Sequence, residues 1–203
     1  WHNNPEIIKM IIVFYTKAKA YEQLSGFYDA CAEVEIEEYR EYDKAVAALK
    51  ESERFLQKAK NTPAATKAEK LAVLQNRIVY IEQFAQAKRG IKTDPDESVR
   101  ICNRLLSEGD IDRAIRVGDI FALLVEFYYG NNSFSQAHEM IERMRDRNIV
   151  LNPYLDQDMV NRIYKEMGVS DVPKKGGGGY GDDDSGSDGM EEDLNFGSGD
   201  EAM

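Results

Sequence analysis

A chain of 203 residues, 42% apolar and 31% charged, can bury one core and leave much solvated surface. Two cysteines cannot build a metal cluster or a framework of several disulfides, and with a net charge of −11 there is no basic stripe for phosphates, which argues against nucleic acid as a partner. The same sign opposes an anionic membrane surface, and the most apolar run, Ile7 to Tyr15, contains Lys9 and falls far short of the roughly 20 residues a bilayer requires.

Proline is scarce and sits at segment edges, while Glu, Lys, Ala, Leu, Arg and Gln fill the segments between. No apolar–polar alternation is long enough for a strand, so the chain reads as all-α. Asn4-Pro5 predicts an N-cap and first helical residue, because proline lacks the N–H that would be orphaned there. The first helix, from about Pro5 to Lys17, carries Ile7, Ile8, Met10, Ile11, Ile12, Val13 and Phe14 round nearly its whole circumference. A helix of that kind is expected to be buried. The chain starts at Trp1 and not at Met, so it is read as part of a longer polypeptide whose preceding repeat covers this helix.

A second helix, about Ala18 to Tyr39, has the stripe Leu24, Phe27, Tyr28, Cys31 and Val34. A third, about Tyr42 to Lys60, carries Ala45, Ala48, Leu49, Phe55, Leu56 and Ala59. Thr62-Pro63 repeats the cap-plus-proline signal before a fourth helix, about Ala64 to Arg89. Its Leu71, Leu74, Ile78, Ile81 and Ala85 recur at spacings of three and four, too briefly for a coiled coil. Asp94-Pro95-Asp96-Glu97 reads as a capping box opening a fifth helix, which stops at Gly109 as a left-handed C-cap position. Asp110 to Tyr129 reads as one sixth helix, ended by Gly130. Ser133 with Gln136 is another capping box, opening a seventh helix to about Arg147, and Asp156 opens a last short one ending at Gly168. Residues 1–172 thus form a helical-repeat domain. From 173 the composition turns to Gly, Asp and Ser, with nine acids against Lys174 and Lys175, and 173–203 is expected to be a disordered acidic tail.

The most informative stretch is 121–144. Phe121, Leu124, Val125 and Tyr128 on one helix, with Ala137, Ile141 and Met144 on the next, match the tetratricopeptide offsets. In that pattern large residues embrace a small one where two helix axes approach. Tyr21, Leu24 and Tyr28 with Ala45, Leu49 and Ser52 make a looser copy, and the fourth and fifth helices a more degenerate one. The first helix of each pair lines the concave face of such an array. That predicts exposure of Asp119, Ala122, Glu126 and Tyr129 in one pair, and of Lys19, Glu22, Gly26 and Asp29 in the other. These positions read as a groove for a peptide or subunit, or as a plain solvated face.

The string Gly26-Phe-Tyr-Asp-Ala-Cys-Ala-Glu-Val-Glu-Ile-Glu-Glu-Tyr39, followed by Tyr42-Asp-Lys-Ala45, resembles the C-terminal tetratricopeptide region of the intraflagellar transport protein 140 family. So does Ile115-Arg-Val-Gly-Asp-Ile-Phe-Ala-Leu-Leu-Val-Glu-Phe127. The resemblance covers roughly residues 5–168 and leaves out the Gly- and Asp-rich tail. It implies the terminal part of a solenoid in a non-enzymatic subunit of intraflagellar transport complex A. The implied partners are the other complex A subunits and, indirectly, the retrograde dynein motor and ciliary membrane cargo adaptors. The implied location is the cytoplasmic side of the cilium or flagellum and its basal body. Complex assembly, retrograde transport and ciliary entry of membrane-protein cargo are the implied roles, with no cofactor and no direct membrane insertion. A rival reading is a freestanding peptide-binding adaptor of the co-chaperone kind. Such grooves clamp a carboxylate with Lys and Arg, whereas the groove positions here are mostly acidic or neutral.

Other residues invite chemistry and are set aside. His138 has no second His or Cys at metal-ligand spacing and reads as a solvated helix residue. Cys31 and Cys102 read as small buried hydrophobes. Gly176 to Gly179 lacks the Lys-Ser/Thr of a phosphate loop and is followed by three aspartates. Glu33, Glu35, Glu37, Glu38 and Glu41 read as a solvated face paired locally with Arg40 and Lys44. In the tail, Ser185 with Asp188 three residues on is a candidate phosphosite for an acid-directed kinase.

Overall fold

Residues 4–169 are described by a computed structural model. The elements are α1 (Pro5–Lys17), α2 (Tyr21–Glu37), α3 (Tyr42–Lys58), α4 (Ala64–Gly90), α5 (Pro95–Ser107), a 3-10 turn (Ile111–Arg113), α6 (Val117–Gly130), α7 (Phe134–Asp146) and α8 (Gln157–Glu166). The described residues contain no strand. The expected tail, with Ser185, lies outside them.

Three helices start on side-chain caps. Asn4 Oδ1 accepts from the N–H of Glu6 and Ile7 at 3.1 and 3.4 Å. Asp94 accepts from Glu97 N–H at 3.3 Å, but its own N–H donates to Gly90 C=O at 2.7 Å and the Glu97 carboxylate takes Arg100, so the expected box does not close; Asp156 accepts from Asp158 and Met159 at 3.0 Å each. The two other expected caps do not form. Thr62 Oγ1 donates to Glu22 at 2.7 Å, and Pro63 takes the cap position of α4. Ser133 makes no side-chain cap, and its N–H donates to Tyr128 C=O at 2.8 Å. The capping box needs that N–H for Gln136, so it cannot close.

Helix ends use left-handed residues, but mostly not glycines. Lys19, Asn132 and Asn148 have φ of 55° to 57°, and Gly168 has φ 68°. After each, the next N–H reaches back five residues: Ala20 to Tyr15, Ser133 to Tyr128, Ile149 to Met144 and Val169 to Tyr164, at 2.8 to 3.1 Å. Gly109 is not such a position. Helix α5 ends through Glu108, whose ψ of 132° is extended. Gly130 is the last residue of α6, and the left-handed turn falls on Asn132.

The expected sixth helix is broken. Ile111, Ala114 and Ile115 are all buried, and seating them needs a 3-10 turn followed by extended backbone at Arg116, with ψ 102°. Only then does α6 begin. The spacing of Ile111 and Ile115 mimics helical periodicity, which hides the break in the sequence.

The helices pack as hairpins α2–α3, α4–α5 and α6–α7, with α3 against α4, α5 against α6, and α8 against α7. Leu24, Ala45, Leu49, Phe121, Leu124, Ala137, Ile141 and Met144 are fully enclosed at 0% exposure. Tyr28 is half-buried and stacks on Phe55, with ring centroids 5.6 Å apart. Tyr128 packs at the edge of the core cluster. The stripe of α4 is spent on this hairpin packing, not on a coiled coil.

Helix α1 departs from expectation. None of its residues is buried. Met10 is 70% and Phe14 67% exposed, because among the described residues only α2 lies along this helix. A neighbour on one side cannot cover a helix that is apolar all round.

Candidate protein-interaction surface

The predicted concave positions divide into four pairs. Lys19 and Gly26 are exposed on the α1–α2 turn and α2. Glu22 and Asp29 are half-buried and already engaged by α4. Lys70 Nζ donates to Glu22 at 2.7 Å, and Arg77 Nη1 donates to Asp29 at 3.0 Å. Bonds from Lys70 and Thr62 hold the Glu22 carboxyl below its ordinary pKa. Desolvation dominates at Asp29 and pushes its pKa up, against the pull of Arg77. The cleft between α2 and α4 is therefore lined by charges that largely neutralise one another, with Val73 and Leu74 among them.

Asp119 and Ala122 are not exposed. They are 8% and 7% exposed, because the α2–α3 turn and the loop after α7 fold over the start of α6. Glu126 and Tyr129 do face outward, fully and partly. Partial desolvation beside the neighbouring side chains raises the Glu126 pKa, with Arg40 and Lys88 opposing the shift. Tyr129 meets Phe134 edge-on at 6.0 Å. A shallow groove continues along α6 past Leu123 and Phe127 to Ile91, Lys92 and Pro95 at the α4–α5 turn.

Two acidic residues near the end of α2, Glu33 and Glu37, find distant partners. Arg77 of α4 pairs with Glu33, and Arg116 lies 3.6 Å from Glu37. Arg40, expected among these glutamates, turns instead towards Asp119. The second surface feature was visible in sequence only as a greasy helix. It is the apolar groove formed by Ile7, Met10, Ile11, Phe14 and Tyr15 of α1 with Phe27 of α2.

No group of His, Cys, Asp and Glu among the described residues is arranged to hold a metal ion. His138 packs edge-on against Tyr164 at 5.0 Å, with Nε2 3.8 Å from Glu142. Cys102 is fully enclosed and its thiol is pushed up to about 12 by burial; Cys31 is half-buried and also raised. No helix among the described residues is long and apolar enough to cross a membrane.

A family model for the C-terminal TPR domain of intraflagellar transport protein 140 matches residues 22–145, from the first turn of α2 to the last turn of α7. That span is more than half of the chain and takes in all three stacked hairpins. With its helical-repeat architecture and the match in agreement, the chain belongs to the family of intraflagellar transport protein 140 C-terminal TPR domains.

Proposed function

We propose that this chain is a non-enzymatic scaffold segment of intraflagellar transport complex A. It holds neighbouring complex A subunits through protein–protein contacts, on the cytoplasmic side of the cilium or flagellum and at the basal body. Through them it supports complex assembly, retrograde transport by the dynein motor, and ciliary entry of membrane-protein cargo. The observation that carries this reading is the family match across α2 to α7. The exposed apolar face of α1 supports it, because an uncovered surface of that kind marks a docking region.

The test is purification of the tagged protein from ciliated cells. Recovery of a stoichiometric set of complex A subunits is the expected result. Recovery of a single chaperone and none of those subunits would sink the reading. Replacing Met10→Glu and Phe14→Glu together should reduce recovery of the partners while leaving helix content unchanged, because neither side chain is part of the core.

A further inference from the structure

Each unit of a helical-repeat array ordinarily touches only its neighbours, and its curvature is the sum of small rotations between them. In this chain the first hairpin, α2–α3, also meets the third, α6–α7, through a polar cluster. Its centre is Asp119, near the start of a mostly apolar helix whose other carboxylate, Glu126, is exposed. The Tyr42 hydroxyl, at the start of α3, donates to Asp119 Oδ2 at 2.6 Å. Arg40 Nε, from the turn before α3, lies 3.5 Å from Oδ1. Arg116 Nε lies 4.0 Å from Oδ2, and its Nη1 donates to the Glu37 carbonyl at 2.7 Å.

The loop after α7 closes the other side. Arg40 donates to the Pro153 carbonyl. The guanidinium carbons of Arg40 and Arg116 lie 5.4 and 5.1 Å from the centre of the Tyr154 ring. Arg40 itself holds a left-handed backbone, φ 55°, which a non-glycine residue adopts at a cost.

A buried carboxylate is expensive unless it is paired and hydrogen-bonded, and this one is surrounded by a hydroxyl and two guanidinium groups. All but one of those groups come from segments far away in the sequence. Neither α2 nor α3 packs along α6 or α7 among the described residues. The cluster is therefore placed where a hinge between first and third hairpins would open.

We propose that Asp119, Tyr42, Arg40, Arg116 and Tyr154 form a clasp that sets the curvature of the array, so that the three hairpins present one surface of fixed shape. The clasp acts on shape more than on core stability, because its contacts are polar; the Tyr42 ring packs edge-on against Phe84 in the core at 4.6 Å and stays there when only the hydroxyl is removed. It holds whether or not the transport reading is correct.

The experiment measures the distance between the first and third hairpins in the full chain. Spin labels are attached through Ala47→Cys on α3 and Gln136→Cys on α7, both exposed, in a background of Cys31→Ser and Cys102→Ala. The clasp variants are Tyr42→Phe, which removes one hydroxyl, and Arg40→Gln. Arg89→Gln, which breaks an exposed α4–α3 ion pair outside the clasp, is the control. The expected result is a broader and longer distance distribution in the clasp variants, with parent-like helix content by circular dichroism and no change in the control. A parent-like distribution in folded Tyr42→Phe overturns the proposal. So does equal broadening in the control. Loss of helix in Tyr42→Phe also overturns it, since the cluster would then be holding the core and not the curvature.

Discussion

The hydroxyl-bearing end of the Tyr154 ring occupies the space beside Gly118 that a Cβ would need. A Cβ built on Gly118 would stand 2.5 Å from both Cε1 and Cε2 of that ring, well inside van der Waals contact. Replacing a helical glycine by alanine ordinarily stabilises by roughly 1 kcal/mol through helix propensity. Here the sign should reverse. Gly118→Ala should destabilise by about 1–3 kcal/mol, the range for overpacking. Tyr154→Ala in the same chain should relieve most of that loss. A double-mutant cycle by thermal denaturation measures the coupling, and additive effects would refute the contact.

Ala137 is fully enclosed in the hairpin of α6 and α7. Leucine there must push the two helices apart or adopt a poor rotamer. Ala137→Leu should cost roughly 1–3 kcal/mol. Urea denaturation checks this, and a midpoint equal to that of the parent would show that the site has room.

Ser25 and Ser52 are both buried, with their hydroxyls 2.9 Å apart, and Ser52 also lies 2.9 Å from the Ser25 carbonyl. Ser52→Ala removes both links between α2 and α3 and leaves a buried hydroxyl with fewer partners. The expected loss is about 1–3 kcal/mol. A stable Ser52→Ala protein by thermal denaturation would count against the pairing.

Two acids of α2 should titrate in opposite directions. Glu22 is held below its ordinary value of 4.5 by Lys70 and Thr62. Asp29 is raised above 3.8 by desolvation, with Arg77 opposing. A lowered folded-state pKa contributes stability above the unfolded value and loses it as pH falls through the folded one. Glu22 should therefore support the fold at neutral pH and stop doing so in acid. A raised carboxyl works the other way, so acidification should relieve a penalty at Asp29. Carboxyl carbon shifts followed by NMR between neutral and acid pH give both values. Finding Asp29 below Glu22 and below 3.8 would reject the burial argument.

The thiols should also separate. Alkylation follows thiolate fraction and access. Cys102 has neither, being fully enclosed and pushed up to about 12. Cys31 is half-buried. Iodoacetamide on the native protein, followed by mass spectrometry, should modify Cys31 first and leave Cys102 until unfolding. Equal labelling would mean that α5 opens readily.

Local periodicity and punctuation determined much of this fold by themselves. The starts at Asn4-Pro5, Asp94-Pro95 and Asp156 are legible because a cap is a contact between residues two or three apart. The enclosed alanines at 45 and 137 fall where helical spacing aligns large residues around a small one. Proline and glycine mark the segment edges, and the all-α repeat class follows from these near-neighbour rules. Only the tertiary structure decided the rest. It broke the run from Asp110 to Tyr129, because seating Ile111 and Ile115 in the core outweighed a continuous helix. It buried Asp119 and Ala122, which helical phase alone places on the open face. It left α1, apolar round nearly its whole circumference, with no buried residue, since burial depends on what stands beside a helix as well as on its own composition. Asp119 and Glu126 look alike in the sequence, two carboxylates in a mostly apolar run, yet only Asp119 is buried. Its partners Tyr42 and Arg40 lie 77 and 79 positions earlier in the chain, and only the stacking of whole hairpins brings such residues together.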